Sequence, residues 1–495
     1  MRAAREALTG FIVLLANAVI MSVEMLATRM LFPHYGNTVF TWSAVITTII
    51  AGLFLGYMLG GIAAERSKDR EGLLGGELLA AGALVALVPL LFDAVLLEPQ
   101  AAAVFPPLLG CFLVFGVPAV ALAASPPAAV GILADGGRGA SLAAGMVSSL
   151  AAAGSILGTL GTTFWLIPSH GIRSLFPAYG AVLGLLALAC WLGPGRRRRG
   201  KALAAAVIYA GLLLWADRAS GASSAPGEVF HKDSAYQLVR VFEQGSGPGL
   251  TRTMMLDSTQ EGAMRIETKD VVFGYTRAYK VFPNAFGTDA AARVLFVGGG
   301  AYAMPIRTAE SMPRASVEVA EIDPVVRDAG ERYFRAAEAT NLRTVIGDGR
   351  QVLRRSEGSY DGVFIDAYQG VLAIPFHLTT REFFEETRRA LRPGGFVALN
   401  LIGDPTEREG LLCAVSATLE SVFPRVDVVP IHGFVPGTQN VILVAGETRR
   451  EGLFKGTGFP PGRMSAGLAC RKGEPLADDF APVEWLVARY IRSGE

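Results

Sequence analysis

The sequence predicts an α-helical polytopic membrane domain followed by an α/β doubly wound domain with a small β unit at its amino-terminal end. Three observations predict this. Long uncharged stretches fill the first 216 residues, whereas Asp, Glu, Arg and Lys return in ordinary mixture from residue 217 onward. In the second half, short apolar runs alternate with helix-length segments, the pattern of repeated βα units in a parallel sheet. The whole chain of 495 residues is 51% apolar and 18% charged, short of the about 25% charge of soluble proteins. A wholly soluble chain is thereby excluded. Disorder and collagen are excluded too, because 58 Gly and 27 Pro are scattered without period among apolar residues. The net charge of +1 makes no case for a nucleic-acid partner.

The membrane domain is expected over residues 1–216. Seven hydrophobic segments occur there, at roughly 10–31, 39–63, 74–97, 104–133, 140–167, 174–193 and 202–216. Most reach the about 20 residues that a helix needs to cross the hydrocarbon layer, so six to seven spans are expected. A cleavable signal peptide is disfavoured for the first, because no A-x-A site follows it and further spans do. Loop charges orient the bundle. Arg2, Arg5, Arg66, Lys68, Arg70, Arg138, Arg196 to Arg199 and Lys201 fall on one side if the helices alternate, and the other loops carry almost no Lys or Arg. That side is cytoplasmic. The last segment, Ala202 to Ala216, is about 15 residues and lies between span length and interfacial length. It is expected to lie in the interface or re-enter, leaving the soluble domain cytoplasmic. The loop charges and a full seventh crossing argue the opposite.

Within the first two spans stand Glu24, Arg29, the loop Pro33-His34-Tyr35-Gly36 and the small-residue run Gly52, Gly56, Gly60, Gly61. An ionisable group at membrane depth is costly. Glu24 is therefore expected to face the bundle interior, either paired with Arg29 or a helix amide or serving a substrate or proton. The glycines at spacing four are expected to let helices approach closely.

A linker at 217–227 (DRASGASSAPG) has the composition of a flexible connector. The β unit is expected at 228–290, where YQLVRVF and RTMMLD alternate as antiparallel strands do. From 291 the α/β domain runs to 495, with strands expected at VLFVGGG, SVEVAEID, RTVIGD, YDGVFIDAY and GGFVALNLI. Ligands of such sheets sit at the carboxyl ends of the strands, and each end carries a residue type that a nucleoside would want. Gly298, Gly299 and Gly300 let the backbone come close to a ligand. Glu321 and Asp323 follow at the distance of a ribose-binding acid. Asp348 and Asp366 end the third and fourth strands. A dinucleotide fold would want glycine in place of Ala303, and Pro305 falls where a helix starts.

The strings HKDSAYQLVRV, LDSTQEG, VLFVGGGAYAMP, VEVAEIDPVV, VIGDGRQVL and YDGVFIDAY, in this order and spacing, resemble the spermidine synthase family of aminopropyltransferases over roughly residues 228–445. The membrane half (SVEMLATR, TWSAV, GYMLGGIAAER) and the tail LADDFAPVE resemble a branch in which a transporter-like membrane domain is fused to the synthase. The resemblance implies a Rossmann-like, methyltransferase-type fold and a sulfonium nucleoside as co-substrate, decarboxylated S-adenosylmethionine or S-adenosylmethionine itself. It implies that Gln237 and Gln260 line the donor site with Gly298, Gly299 and Gly300, that Glu321 holds the ribose, and that Asp348 with Gly349 meets the adenine. Asp366 matches the first Asp of the catalytic motif. An amine attacking carbon beside a sulfonium must be neutral, and a carboxylate has to hold or accept its proton.

Three positions depart from that family. Ala301 stands where an Asp contacts the donor's amino group, Gly274-Tyr275-Thr276 replaces a polar acceptor motif, and Gln369 replaces the second catalytic Asp. Each removes charge or polarity from where a polyamine would lie, so an acceptor other than putrescine is expected. Candidates on the acceptor side are Tyr236, Tyr275, Tyr368, Gln369 and His377, with Asp478 and Asp479 (and Glu484) if the tail folds over the site. His377 is expected either to border the site or to make a structural hydrogen bond. Two further readings stand beside aminopropyl transfer: an S-adenosylmethionine-dependent methyltransferase on the same fold, and a transporter or sensor whose soluble half binds ligand only. The five histidines (His34, His170, His231, His377, His432) have no ligand spacing and predict no metal. The four cysteines form no CxxC pair and leave the redox compartment open. The expected partners are a small-molecule amine, the lipid bilayer of the inner or plasma membrane and, from the family, further copies of the chain.

Overall fold

The computed structural model describes residues 2–35, 39–95, 105–192, 206–207, 209–215, 225–368, 374–448, 450–460, 470 and 474–492. The chain forms two compact units, residues 1–223 and 224–495.

In the first unit six helices are long and apolar enough to cross a membrane: Ala3–Phe32, Val39–Arg66, Arg70–Val95, Leu108–Asp135, Ala140–His170 and Ile172–Leu192. They fall on the first six expected segments. Small residues set how closely they pack. A Cβ on Gly52 or Gly56 would lie 2.4 Å from the Cβ of Ala119 or Ala123, and one on Gly60 would lie 2.2 Å from the Ala124 carbonyl. The second and fourth spans therefore touch backbone to backbone, as the glycine spacing predicts, while Gly61 faces open space. Polar groups in the interior bond to one another: Thr162 donates to Ser22 at 2.7 Å and shares a hydrogen bond with the Tyr179 hydroxyl. Thr162 opens a π-helical turn, Thr162–Leu166, inside the fifth span. Glu24 and Arg29 are half-buried on the first span.

Of the two courses expected for the seventh segment, interfacial or re-entrant, its described residues do not follow the interfacial one. Residues 209–215 are helical and enter the bundle. The Tyr209 ring covers Gly184, its hydroxyl donates to the Gly180 carbonyl at 2.8 Å, and Leu213 approaches Gly180. A later residue thus meets an earlier level of the sixth span, so the segment runs antiparallel to it. Gly180 lies twelve residues inside the Leu192 end, about 18 Å along the axis.

The second unit holds two sheets. β1 (Glu228–Asp233), β2 (Leu238–Gln244), β3 (Thr251–Leu256) and β4 (Thr259–Arg265) form an antiparallel meander. The larger sheet contains β5 (Arg293–Val297), β6 (Ser316–Glu321), β7 (Leu342–Ile346), β8 (Tyr360–Ile365), β9 (Leu391–Gly403), β10 (Arg425–Pro430) and β11 (Gln439–Gly446). Its order is β10-β11-β9-β8-β5-β6-β7. β5 to β9 are parallel, and β11 is antiparallel to both its neighbours. Strand order reverses between β5 and β8, the switch point at which doubly wound sheets bind ligands. The antiparallel β11 between β9 and β10 distinguishes this sheet from the dinucleotide-binding order and gives the methyltransferase-type fold. Both faces are covered, as a parallel core requires. Phe282 packs on Phe296, Phe364 and Phe396 on one face. Phe383 and Phe384, from the helix Arg381–Ala390, join Leu295, Val363 and Ile365 on the other.

Two cysteines that the sequence left unassigned are joined: Cys413, on the helix Leu411–Val422, forms a disulfide with Cys470. Cys111 and Cys190 are thiols, outside any disulfide and buried in the first unit. After denaturation without reductant, maleimide should label two of the four cysteines, and all four after reduction. Cys413→Ser should lower the stability of the second unit by about 2–4 kcal/mol, measured as a shift of its denaturation midpoint.

Candidate active site

The site is built where β5 and β8 end side by side. Gly298 follows β5 with φ +96°, and a Cβ there would lie 2.2 Å from the Asp366 carbonyl. Only glycine allows both the dihedral and the approach. The Gly299 amide then donates to Glu321 Oε2 at 2.8 Å, and Glu321 Oε1 accepts from the Asp323 amide at 2.9 Å. Loss of solvent pushes the Glu321 carboxyl up to about 7 against those amide bonds. Asp323 caps the helix Pro324–Tyr333 through Val325 N at 2.9 Å and accepts from Ser234 Oγ at 2.5 Å. That last bond ties the β1–β2 turn, which contains Tyr236 and Gln237, to the strand ends.

Asp348 caps the helix Gly349–Arg354 and its other oxygen meets His377 Nε2 at 3.1 Å. The imidazole is the chief reason its carboxyl lies below the usual range. His377 thus reaches the strand-end acid rather than only a local backbone group. Gly349 is needed because a Cβ would lie 2.3 Å from Val297 Cγ1.

Asp366 is the centre of a polar network. Its Oδ1 accepts from Asn400 Nδ2 at 2.8 Å, and Asn400 Oδ1 accepts from Asn440 Nδ2 at 3.1 Å. The Tyr275 hydroxyl also hydrogen-bonds Asp366, and the Tyr368 hydroxyl donates to the Asn400 carbonyl at 3.0 Å. Loss of solvent pushes the Asp366 carboxyl up to about 6, and its bonds to Asn400 and Tyr275 oppose the rise. The same loss of solvent holds both tyrosines well above their ordinary values. A carboxylate titrating near neutrality and held by fixed donors can take a proton and give it back.

One residue in this cluster was missed from the sequence. Strict alternation from the buried Gly262 would turn Gln260 toward the site. The register shifts instead, with Met254 opposite Gly262 and Met255 opposite Gln260. Glu261 is the extra residue of a β-bulge and shares the face of Gly262, while Gln260 is exposed. At the strand ends β4 therefore offers Glu261 as well as the expected Gln260, with Gln260 exposed and Glu261 half-buried. Loss of solvent and the neighbouring Asp366, Asp257 and Glu321 push its carboxyl up to about 8. Nothing in the local sequence announces a bulge.

The remaining expected residues are dispersed. Ala301 is buried, and a Cβ on Gly262 would lie 2.6 Å from it. Tyr236 is exposed. The tail does fold back, but Asp478 is bound by Arg350 at 2.7 and 2.8 Å and by Thr380 at 2.7 Å. Arg350 also holds Glu386 at 2.8 Å. Asp478 thus anchors the tail to Arg350 and Thr380, and Asp479 beside it is exposed. Gln369 lies outside the described residues.

The comparisons follow this geometry. A family model, the spermine/spermidine synthase domain, matches residues 273–447. Residues 273–447 form a spermine/spermidine synthase domain. Around it the chain is 31% identical over 206 residues to the polyamine aminopropyltransferase of Vibrio vulnificus, covering 39% of this chain and 64% of that protein. Spermidine synthase 2 of Arabidopsis thaliana is 34% identical, with 34% of this chain and 48% of that protein covered. Putrescine N-methyltransferase 1 of Nicotiana tabacum is 28% identical, with 34% and 44% covered. The chain spans less than two thirds of the length of each of these relatives. A probable spermidine synthase from Corynebacterium glutamicum aligns at TM-score 0.41 and 22% identity, over 46% of this chain and 81% of that one. The match to the synthase domain includes Tyr275, the glycine turn, Glu321, Asp348 and Asp366, and leaves the first unit and β1 to β4 outside it.

The second unit carries three raised carboxyls, Glu261, Glu321 and Asp366, so between about pH 4 and 8 its folded form binds more protons than its unfolded chain. Stability of the empty domain should therefore rise as pH falls from about 8 to about 5. Below about 4 the depressed acids Asp348, Glu386 and Asp478 protonate and that gain reverses. Thermal midpoints of the detergent-solubilised protein across this range check the sign.

Proposed function

We propose that the second unit transfers an aminopropyl-type group from decarboxylated S-adenosylmethionine to a small amine other than putrescine. The observation that carries this reading is Asp366, held by Asn400 and Tyr275 at the switch point and raised to about 6. In the step proposed, the neutral amine nitrogen attacks the methylene beside the sulfonium. The carbon–sulfur bond breaks with its electron pair passing to sulfur, which leaves as a neutral thioether, and the amine proton passes to Asp366. Glu321 is suited to the ribose hydroxyls and Asp348 to the adenine side. The glycine turn leaves room for the nucleoside. Since the sulfonium is already an activated leaving group, orientation and charge placement supply most of the rest.

Methyl transfer is the second reading, favoured by the similarity to putrescine N-methyltransferases. Both donors fit the same glycines and acids. Calorimetry of the full chain with decarboxylated and intact S-adenosylmethionine separates them, and binding of neither overturns both. Asp366→Asn should lower kcat at least about 100-fold while leaving donor affinity within about threefold, read by product formation from a panel of amines.

The six long apolar helices are compatible with a membrane domain. Two features favour the side away from the cytoplasm for the soluble unit, against the expectation drawn from a short seventh segment. Residues 209–215 enter the bundle antiparallel to the sixth span, starting from the Arg-rich loop. The Cys413–Cys470 disulfide suits an oxidising compartment. The donor would then have to reach that side of the bilayer. Phosphatase and fluorescent-protein fusions after Gly227 should report export; a cytoplasmic signal overturns this orientation and leaves the transferase reading standing.

A further inference from the structure

We infer that Glu261 is a specificity-determining residue that selects a positively charged donor over its neutral thioether product. The inference rests on the nucleoside-sulfonium reading of the site. Its basis is geometric. The β-bulge turns Glu261 onto the face of Gly262, which packs against Ala301 at the glycine turn. The Glu261 carbonyl lies 3.1 Å from where a Cβ on Gly300 would be. The groups coupled to its side chain by charge are Asp257 from the β3–β4 turn, Glu321 from the end of β6, Asp366 from the end of β8, and the Tyr275 and Tyr368 hydroxyls. Among the described residues its carboxylate has neither an ion pair nor a hydrogen bond. A half-buried carboxyl amid three others and without a cation is costly to keep ionised.

A cation removes that cost. With a sulfonium or ammonium beside the glycine turn, Glu261 becomes the favoured counter-ion, gives up its proton and holds the ligand by charge. A neutral thioether nucleoside offers no such exchange and leaves Glu261 protonated. The device therefore favours the charged donor and weakens the hold on the uncharged product. It also restores negative charge near the turn where Ala301 supplies none.

The test compares decarboxylated S-adenosylmethionine with 5′-methylthioadenosine, by calorimetry on the full-length protein in detergent, in two buffers of different ionisation enthalpy. The unaltered protein should bind the cation more tightly and release about one proton near pH 7. Glu261→Gln should weaken cation binding about tenfold or more, abolish that proton release and leave 5′-methylthioadenosine within about twofold. Glu261→Asp, which keeps the charge, should retain the proton release and part of the preference. An equal loss for both ligands in Glu261→Gln, or no loss for either, overturns the inference. If the unaltered protein binds neither ligand, the underlying reading of the site falls and the inference falls with it. If it binds both and Glu261→Gln keeps the preference, only the inference falls.

Discussion

The approach of Gly298 to the Asp366 carbonyl is the constraint on which the site depends. At the switch point two parallel strands end side by side, and the chain leaving β5 has to turn across the end of β8. A Cβ at Gly298 would sit 2.2 Å from that carbonyl. Without one, the turn closes, the Gly299 amide reaches Glu321, and the three carboxyls of Glu261, Glu321 and Asp366 share one environment. Loss of water raises the proton affinity of all three, and at Glu261 the neighbouring Asp366, Asp257 and Glu321 add to it.

The placement of negative charge separates this chain from a simple copy of its relatives' pattern. Two acids implied by the family resemblance are replaced by Ala301 and Gln369. In the acidic tail Asp478 is held by Arg350, whose guanidinium also holds Glu386 and so joins the tail to two helices behind the sheet. Asp323 has an equally structural task, capping a helix and bonding Ser234 of the β unit. Glu261, whose carboxylate has neither an ion pair nor a hydrogen bond among the described residues, comes from a strand outside the matched synthase domain. The β unit thus brings a third raised carboxyl to the strand ends.

The first unit follows different physics. Helices in lipid have no apolar driving force between them, so a membrane bundle of six such apolar helices would be held by close packing and internal hydrogen bonds. Glycines at positions 52, 56 and 60 bring two spans to backbone contact, and Ser22, Thr162 and Tyr179 satisfy one another in the interior. Tyr209 shows the same rule at the seventh segment: its ring and hydroxyl occupy the space that Gly184 of the sixth span and Gly82 of the third leave open.

Much of this was legible beforehand because it depends on local pattern. Charge density divided the chain by solvent, apolar runs located the first six helices and β5 to β9, and spacing put Gly298, Glu321, Asp348 and Asp366 at successive strand ends. Those residues had to meet once the strands were parallel, since parallel strands align their carboxyl ends. Tertiary structure decided what no local pattern encodes. A bulge put Glu261 on the face of Gly262, because one unpaired residue reverses the face of those before it. The partners of Asp478 and Cys413 lie 128 and 57 residues away, and the course of residues 209–215 depends on glycines in two other helices. By itself the sequence determined the division by charge density, the order of the elements and which acids end the strands; only the packed chain decided which partners those acids have and that Glu261, from another sheet, joins them.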